Sequence, residues 1–218
     1  MFHEKKVVAF IPAGGGSKGI PGKNIINVAG KPLIAHSILS ANSCPLIDEV
    51  WVSSDDEKIL EVSSKFGAKT IKRPNEISKD DSPSEDALVH FTESVHYDIL
   101  VFIQATSPLT SSKDICSALE LMIEYDSVVS LTELTQFVWD EDGPCYDLND
   151  RKRRQDLKKT YLETGAFFIT SRECFLSSKN RLSGNIGKFI MPKLRSFDID
   201  TQDDLDLVRE VIKSDIKQ

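Results

Sequence analysis

Near the N-terminus, Pro12-Ala13-Gly14-Gly15-Gly16-Ser17-Lys18-Gly19-Ile20-Pro21-Gly22-Lys23-Asn24 follows an apolar run, Val7 to Ile11. Three consecutive glycines strip side chains from the point where a strand should end, so backbone N–H groups can turn toward a bound anion. Lys18 and Lys23 add positive charge on either side of a Pro-Gly turn. Bare backbone flanked by lysines suits phosphate, and best of all a nucleotide triphosphate; a flexible loop with solvated lysines is the plainer alternative. Gly14, Gly16 and Gly19 formally match the dinucleotide fingerprint, but that motif needs a helix opening inside the glycine run. Pro21-Gly22 interrupts any such helix. The P-loop pattern fails as well, because Ser17 stands at its first glycine and Asn24 at its Ser/Thr.

A second cluster lies near the C-terminus, in Ser196-Phe197-Asp198-Ile199-Asp200-Thr201. On an extended segment residues i and i+2 share a face, so Asp198 and Asp200 can converge on one hard cation, best Mg²⁺. Asp200 or Thr201 also suits the cap of a following helix over 202–213. A third cluster, Asp150-Arg151-Lys152-Arg153-Arg154-Gln155-Asp156, concentrates charge. It is either a solvated loop or a site for an acidic substrate, and Arg154, with its planar fork, is the candidate for a carboxylate.

The elements that must hold these residues alternate between strand and helix. Val7–Ile11, Glu49–Ser53, Thr70-Ile71, Ile99–Ile103, Ser127–Leu131, Gly165–Thr170 and Lys188–Met191 read as strands. Helices are expected from about Pro32 to Asn42, over Asp56–Phe66, after a Ser82-Pro83-Ser84-Glu85 capping box, and over Lys113–Tyr125 with Ile115, Leu119, Met122 and Ile123 inward. Such alternation implies an α/β domain with a parallel sheet covered on both faces. Ligands of such sheets bind beyond the carboxyl ends of the strands. There the chain carries the glycine loop, Ser53-Ser54-Asp55, Arg73-Pro74, and Gln104-Ala105-Thr106-Ser107-Pro108. From Thr132 to Thr160 periodicity fades, as in a functional segment or an arm used in assembly.

At 218 residues the chain suits one domain, 1–218, with an arm at about 132–161 inserted in it. A net charge of −7 argues against nucleic acid or an anionic membrane as partner. Cys44, Cys116, Cys145 and Cys174 are widely spaced without a C-x-x-C pair, so reduced thiols and a cytoplasmic setting are expected, with neither zinc nor a disulfide scaffold.

In order along the chain, Ser17-Lys18-Gly19-Ile20-Pro21-Gly22-Lys23-Asn24, Val52-Ser53-Ser54-Asp55, Arg73-Pro74, Gln104-Ala105-Thr106-Ser107-Pro108-Leu109, Arg153-Arg154-Gln155-Asp156 and Asp198-Ile199-Asp200-Thr201 resemble the motifs of the CMP-N-acylneuraminate cytidylyltransferase family. The resemblance implies a Rossmann-like, doubly wound, mostly parallel sheet and a homodimer joined through the arm. It implies transfer from CTP to a free nine-carbon keto-acid sugar, with Mg²⁺, giving a CMP-sugar and pyrophosphate. Residues Ala13 to Lys18, Lys23, Asn24, Arg73 and Ser84 would then meet the nucleotide. Gln104, Thr106, Ser107, Arg154 and Gln155 would meet the sugar, and Asp198 and Asp200 the metal, with Lys18, Lys23, Gln104 and both aspartates catalytic. The chain departs from the family pattern at Gly14, where an arginine is usual, and at Leu162-Glu163-Thr164-Gly165, where several bacterial sialate enzymes have Arg-Pro-Asn-Gly. A sugar-1-phosphate nucleotidylyltransferase and a catalytically silent binding homologue are the alternatives.

Overall fold

Strand β1 (Val7–Pro12) sends alternate side chains into two separate cores: Val7, Ala9 and Ile11 into one, Val8 and Phe10 into the other. A strand covered on both faces shows this period of two as an unbroken apolar run. The computed structural model describes residues 2–16, 19–78 and 82–215, apart from the side chains of Arg154 and Asp215. Six further strands complete the sheet: β2 (Glu49–Ser54), β3 (Lys69–Lys72), β4 (Ile99–Ile103), β5 (Ser127–Leu134), β6 (Thr160–Ser171) and β7 (Ile186–Ile190). Their spatial order is β7-β5-β6-β4-β1-β2-β3. β1 pairs in parallel with β2 and β4, β2 with β3, and β5 with β7, whereas β6 runs antiparallel to β4 and β5. The sheet is mostly parallel, and β4, whose five residues are all buried, lies at its centre.

Helices α1 (Leu33–Asn42), α2 (Glu57–Lys65), α3 (Ser84–Ser94), α4 (Ser112–Glu120), α5 (Arg172–Ser178) and α6 (Gln202–Asp215) cover it. Ile34 and Ile38 of α1, Ile59 of α2 and Ile115 and Leu119 of α4 fill the core on one face. Leu88 and Phe91 of α3 and Phe175 of α5 fill it on the other. α6 closes a third apolar cluster, in which Leu205 and Val208 pack with Ile20, Val28, Leu33 and Ile199. That small cluster matters for function, because it anchors the glycine-loop segment and the Asp-Ile-Asp segment to the same helix. Among the described residues, no helix is long and apolar enough to cross a membrane.

Three local expectations are corrected. Pro83 and not Ser82 precedes α3, and no side chain caps that helix. α4 ends at Glu120 and continues only as a 3-10 turn, Leu121–Ile123, which turns Ile123 outward to 64% exposure. The apolar run 121–123 keeps helical spacing, but the tighter turn rotates its last residue off the buried face. Finally, Cys44 and Cys116 are bonded as a disulfide between the end of α1 and α4, in place of reduced thiols. They lie 72 residues apart, so only the packing of α1 on α4 brings them together. Closing a loop of that size contributes roughly 4 kcal/mol in the chain-entropy model.

Candidate active site

The parallel strands reverse direction of winding at β1, whose neighbours β2 and β4 are reached by opposite crossovers. This is the switch point at which open α/β sheets bind their ligands. The glycine loop leaves β1 at this place and is stitched to its neighbours by backbone hydrogen bonds. Ala13 N–H donates to the Ser53 carbonyl at 2.9 Å, and Arg73 N–H to the Ser54 carbonyl at 2.8 Å. Within the loop, the Gly14 carbonyl accepts from Asn24 Nδ2 at 2.8 Å and the Gly15 N–H donates to Asp55 Oδ1 at 3.0 Å. Asn24 is buried, so here its amide shapes the loop. No α-helix opens within the described part of the glycine run; Lys23–Ile25 forms a single 3-10 turn and α1 begins only at Leu33.

The Asp-Ile-Asp segment comes to the same place. Ile199 is fully buried and its N–H donates to the Thr106 carbonyl at 2.9 Å, which pins the segment beside the loop after β4. The residues on either side therefore project away from the core: Asp200 is exposed, and Asp198 half-buried with Oδ1 accepting from Ser107 Oγ at 3.2 Å. Burial pushes the Asp198 carboxyl above the usual carboxylate range, against the hydroxyls of Thr106 and Ser107, and the neighbouring Asp200 charge adds to the rise. Lys23 Nζ bridges the two parts of the site, donating to the Ile199 carbonyl at 2.9 Å and to Asp200 Oδ1 at 3.1 Å. Gly19 approaches still closer, since a Cβ built there would stand 2.7 Å from the Asp200 carbonyl oxygen. Thr201, not Asp200, caps α6 through reciprocal bonds with Asp204, leaving the Asp200 carboxylate to Lys23.

Other candidates fall at varying distances from this centre. Gln104 is half-buried at the end of β4, its N–H held by the Ala166 carbonyl at 2.9 Å and its carbonyl by Ser37 Oγ at 3.2 Å. The Ala166 contact sits in the irregular stretch of β6 between Glu163 and Phe168, where Gly165 takes φ 71°. Leu162-Glu163-Thr164-Gly165 thus leads straight to Gln104. Thr164 turns inward onto Ser130, and Leu162 is exposed. Ser84 is half-buried in the first turn of α3. Gln155 is exposed on a 3-10 turn (Arg154–Asp156), beside a cleft of about 260 Å³ shared with Lys158 and Lys159. In the basic cluster Arg151 lies over the rings of Phe137 and Tyr146, and Arg153 pairs with Asp156 at 2.7 Å. Ser17, Lys18 and the Arg154 side chain lie outside the described residues. A larger cavity, about 510 Å³, is also lined by residues of 134–160 and not by the loop cluster.

Sequence reasoning passed over Asp55 as a ligand of the loop. Its signal was its place at the end of a Ser-Ser-Asp strand terminus, which reads equally well as an ordinary turn. Among the described residues no group of three or more His, Cys, Asp or Glu side chains could by itself hold a metal. Two carboxylates and neighbouring hydroxyls are nevertheless what Mg²⁺ needs when phosphates and water supply its remaining oxygens. The site therefore fits a cation that arrives with a nucleotide.

A family model described as Cytidylyltransferase matches residues 8–218. The chain belongs to the cytidylyltransferase family. It is a nucleotidyltransferase. This cytidylyltransferase is 34% identical to the pseudaminic acid cytidylyltransferase of Campylobacter jejuni across 95% of its own length and 97% of that protein's. It is 40% identical to N-acylneuraminate cytidylyltransferase A of Danio rerio over 78% of its length, but spans only 42% of that longer protein. A solved structure of CMP:2-keto-3-deoxy-manno-octonic acid synthetase complexed with CTP superimposes with a TM-score of 0.75 at 21% identity. The match covers 96% of this chain and 99% of that one, a likeness of fold.

One consequence of the geometry concerns Gly19. Gly19→Ala would drive a methyl group into the Asp200 carbonyl, which is backbone and cannot rotate aside. The cytidylyltransferase variant is expected to lose about 1–3 kcal/mol of stability and, because loop and carboxylates separate, ~10²-fold in turnover. Thermal melts and steady-state rates measure both; an unchanged rate would show that the close approach is dispensable.

Proposed function

We propose that this cytidylyltransferase transfers CMP from CTP to a free nonulosonic acid, giving a CMP-sugar and pyrophosphate. What carries the reading is the end-to-end match to a pseudaminic acid cytidylyltransferase, together with a glycine loop that Lys23 ties to the Asp198–Asp200 segment. In the reaction the anomeric hydroxyl of the sugar attacks the α-phosphorus, its proton leaves to solvent or a nearby base, and the bond to the β-phosphate oxygen breaks. Charge grows on the α-phosphate and leaving oxygens. The loop from Ala13 to Lys18, with Lys23, Arg73 and Ser84, holds the nucleotide, and the lysines offset that charge. Asn24 acts by shaping the loop. Gln104, Thr106, Ser107, Arg154 and Gln155 face the sugar, with Arg154 as the fork for its carboxylate. Asp198 and Asp200 hold Mg²⁺, which when bound supplies further positive charge at the phosphate oxygens.

The functional unit is a homodimer. Trp139, Leu148 and Leu162 are more than half exposed on or beside the arm, an apolar surface suited to a second copy. CTP is an intracellular nucleotide, which supports a cytoplasmic reaction although the Cys44–Cys116 disulfide is unusual in a reducing compartment. Purified protein given CTP, Mg²⁺ and sialic, legionaminic or pseudaminic acid is expected to release pyrophosphate with at least one of them. Failure with all three would refute the proposal.

A further inference from the structure

Asp55 has no part in the chemistry described so far, yet it stands at the joint between the glycine loop and the most buried cation near it. Its Oδ1 accepts the Gly15 N–H at 3.0 Å and lies 3.8 Å from Arg73 Nη2. The Asp55 side chain is 24% exposed and that of Arg73 only 9%. Arg73 is fixed from its other side as well, with Nε donating to Ser78 Oγ at 2.9 Å, and Ser78 Oγ in turn donating to the Pro74 carbonyl at 2.8 Å. Between the two partners of Asp55 lies Gly14: a Cβ there would be 3.4 Å from Arg73 Nη2 and 3.9 Å from Asp55 Oδ1. The next glycine is laid tightly on the same turn, since a Cβ on Gly15 would be 3.0 Å from Asp56 Cβ.

We propose that Asp55 is a positioning residue: one carboxylate oxygen holds the Gly15 amide and the Arg73 guanidinium on either side of the bare Gly14 backbone, fixing loop and cation in the arrangement that receives phosphate. The Gly15 N–H is taken up internally, so an incoming anion meets the other loop amides and Arg73. A guanidinium buried this deeply has few ways to reorient once anchored through both Nε and Nη2, and its charge is therefore delivered at one place. The arrangement also accounts for the side-chain-free position 14, whose space borders the Arg73 fork. A second cation on residue 14 would press against one already held there, so Gly14 does not leave the loop without positive charge.

The inference rests on the glycine loop being the triphosphate site, so the test uses both CTP and inorganic tripolyphosphate, each with Mg²⁺, titrated calorimetrically into wild type, Asp55→Ala, Asp55→Asn and Ser78→Ala. Asp55→Ala removes both contacts and is expected to weaken both titrants ~10-fold, with the KM for CTP rising in parallel and kcat changed by less than about threefold. Asp55→Asn keeps an oxygen for the Gly15 N–H and is expected to recover at least half of the loss on a logarithmic scale. Ser78→Ala frees Arg73 from its far side and should weaken both titrants about threefold; with Asp55→Asn it carries the test should Asp55→Ala not fold. Affinities within twofold of wild type for Asp55→Ala, or for Asp55→Asn and Ser78→Ala together, would overturn the inference, as would a loss confined to kcat. Wild type that binds tripolyphosphate but not CTP would refute the nucleotide reading alone, and the variants would still decide the role of Asp55 through tripolyphosphate. Wild type that binds neither would refute both.

Discussion

Asp198→Asn is expected to lower turnover ~10³-fold, about 4 kcal/mol in transition-state free energy, while leaving the protein at least as stable as wild type. The two halves of that result have one cause. Asp198 is held half-buried by Ile199, whose side chain is fully enclosed with α6 and whose N–H is bonded to Thr106. Burial and the nearby Asp200 charge raise its carboxyl pKa, against the hydroxyls of Thr106 and Ser107. A carboxyl whose folded pKa is raised makes the folded state less stable once it ionises, so at neutral pH removing the charge relieves the fold. The asparagine keeps the shape and can still accept the Ser107 hydroxyl, but it cannot supply the anionic oxygen that a hard cation requires. Equal loss of stability and activity would instead mark Asp198 as a structural residue.

The largest effect on stability is expected from Asp114→Ala, at about 2–4 kcal/mol. Asp114 is 4% exposed and takes a two-pronged bond from Arg195, Nε to Oδ2 and Nη2 to Oδ1, both at 2.8 Å. The same carboxylate completes the capping box of α4 with Ser111. Its removal therefore uncaps a helix and releases the Lys193–Arg195 turn that leads into Asp198. Burial raises the Asp114 carboxyl, but the Arg195 fork and the Ser111 bonds outweigh it, and its pKa lies below the usual 3.8. A depressed folded pKa means the stabilisation is complete above the unfolded value and is lost as pH falls through the folded one. The difference in melting temperature between wild type and Asp114→Ala should thus hold from neutral pH down to about 4 and shrink below it. A difference that is constant into strong acid would show that charge is not what the pair contributes.

Much of the fold was legible because burial on both faces leaves a plain mark. Ile99–Ile103 reads as an apolar run at the centre of a sheet, and it is the middle strand of seven. Leu33, Ile34, Ile38 and Ala41 share one helical stripe, and all are fully buried. What local pattern cannot carry is contact across the chain. Lys23 reaches the Ile199 carbonyl over a separation of 176 residues, and no feature near either residue announces the other. The same holds for the Cys44–Cys116 bond. At the site, the spacing of Asp198 and Asp200 was visible, but neither the burial of Ile199 between them nor the lysine that takes only Asp200 was. Asn24 reads as a ligand in sequence, and nothing there shows that one N–H of its amide also bonds the Gly14 carbonyl.

The central claim is that CMP passes to a free sugar acid, and ³¹P NMR of the reaction mixture tests it most directly. With CTP, Mg²⁺ and the nonulosonic acids, the account predicts pyrophosphate together with a single phosphodiester resonance, that of a CMP-sugar with one phosphorus. Coupled resonances of a CDP-linked product formed from a sugar 1-phosphate, with none from the free acids, would contradict it.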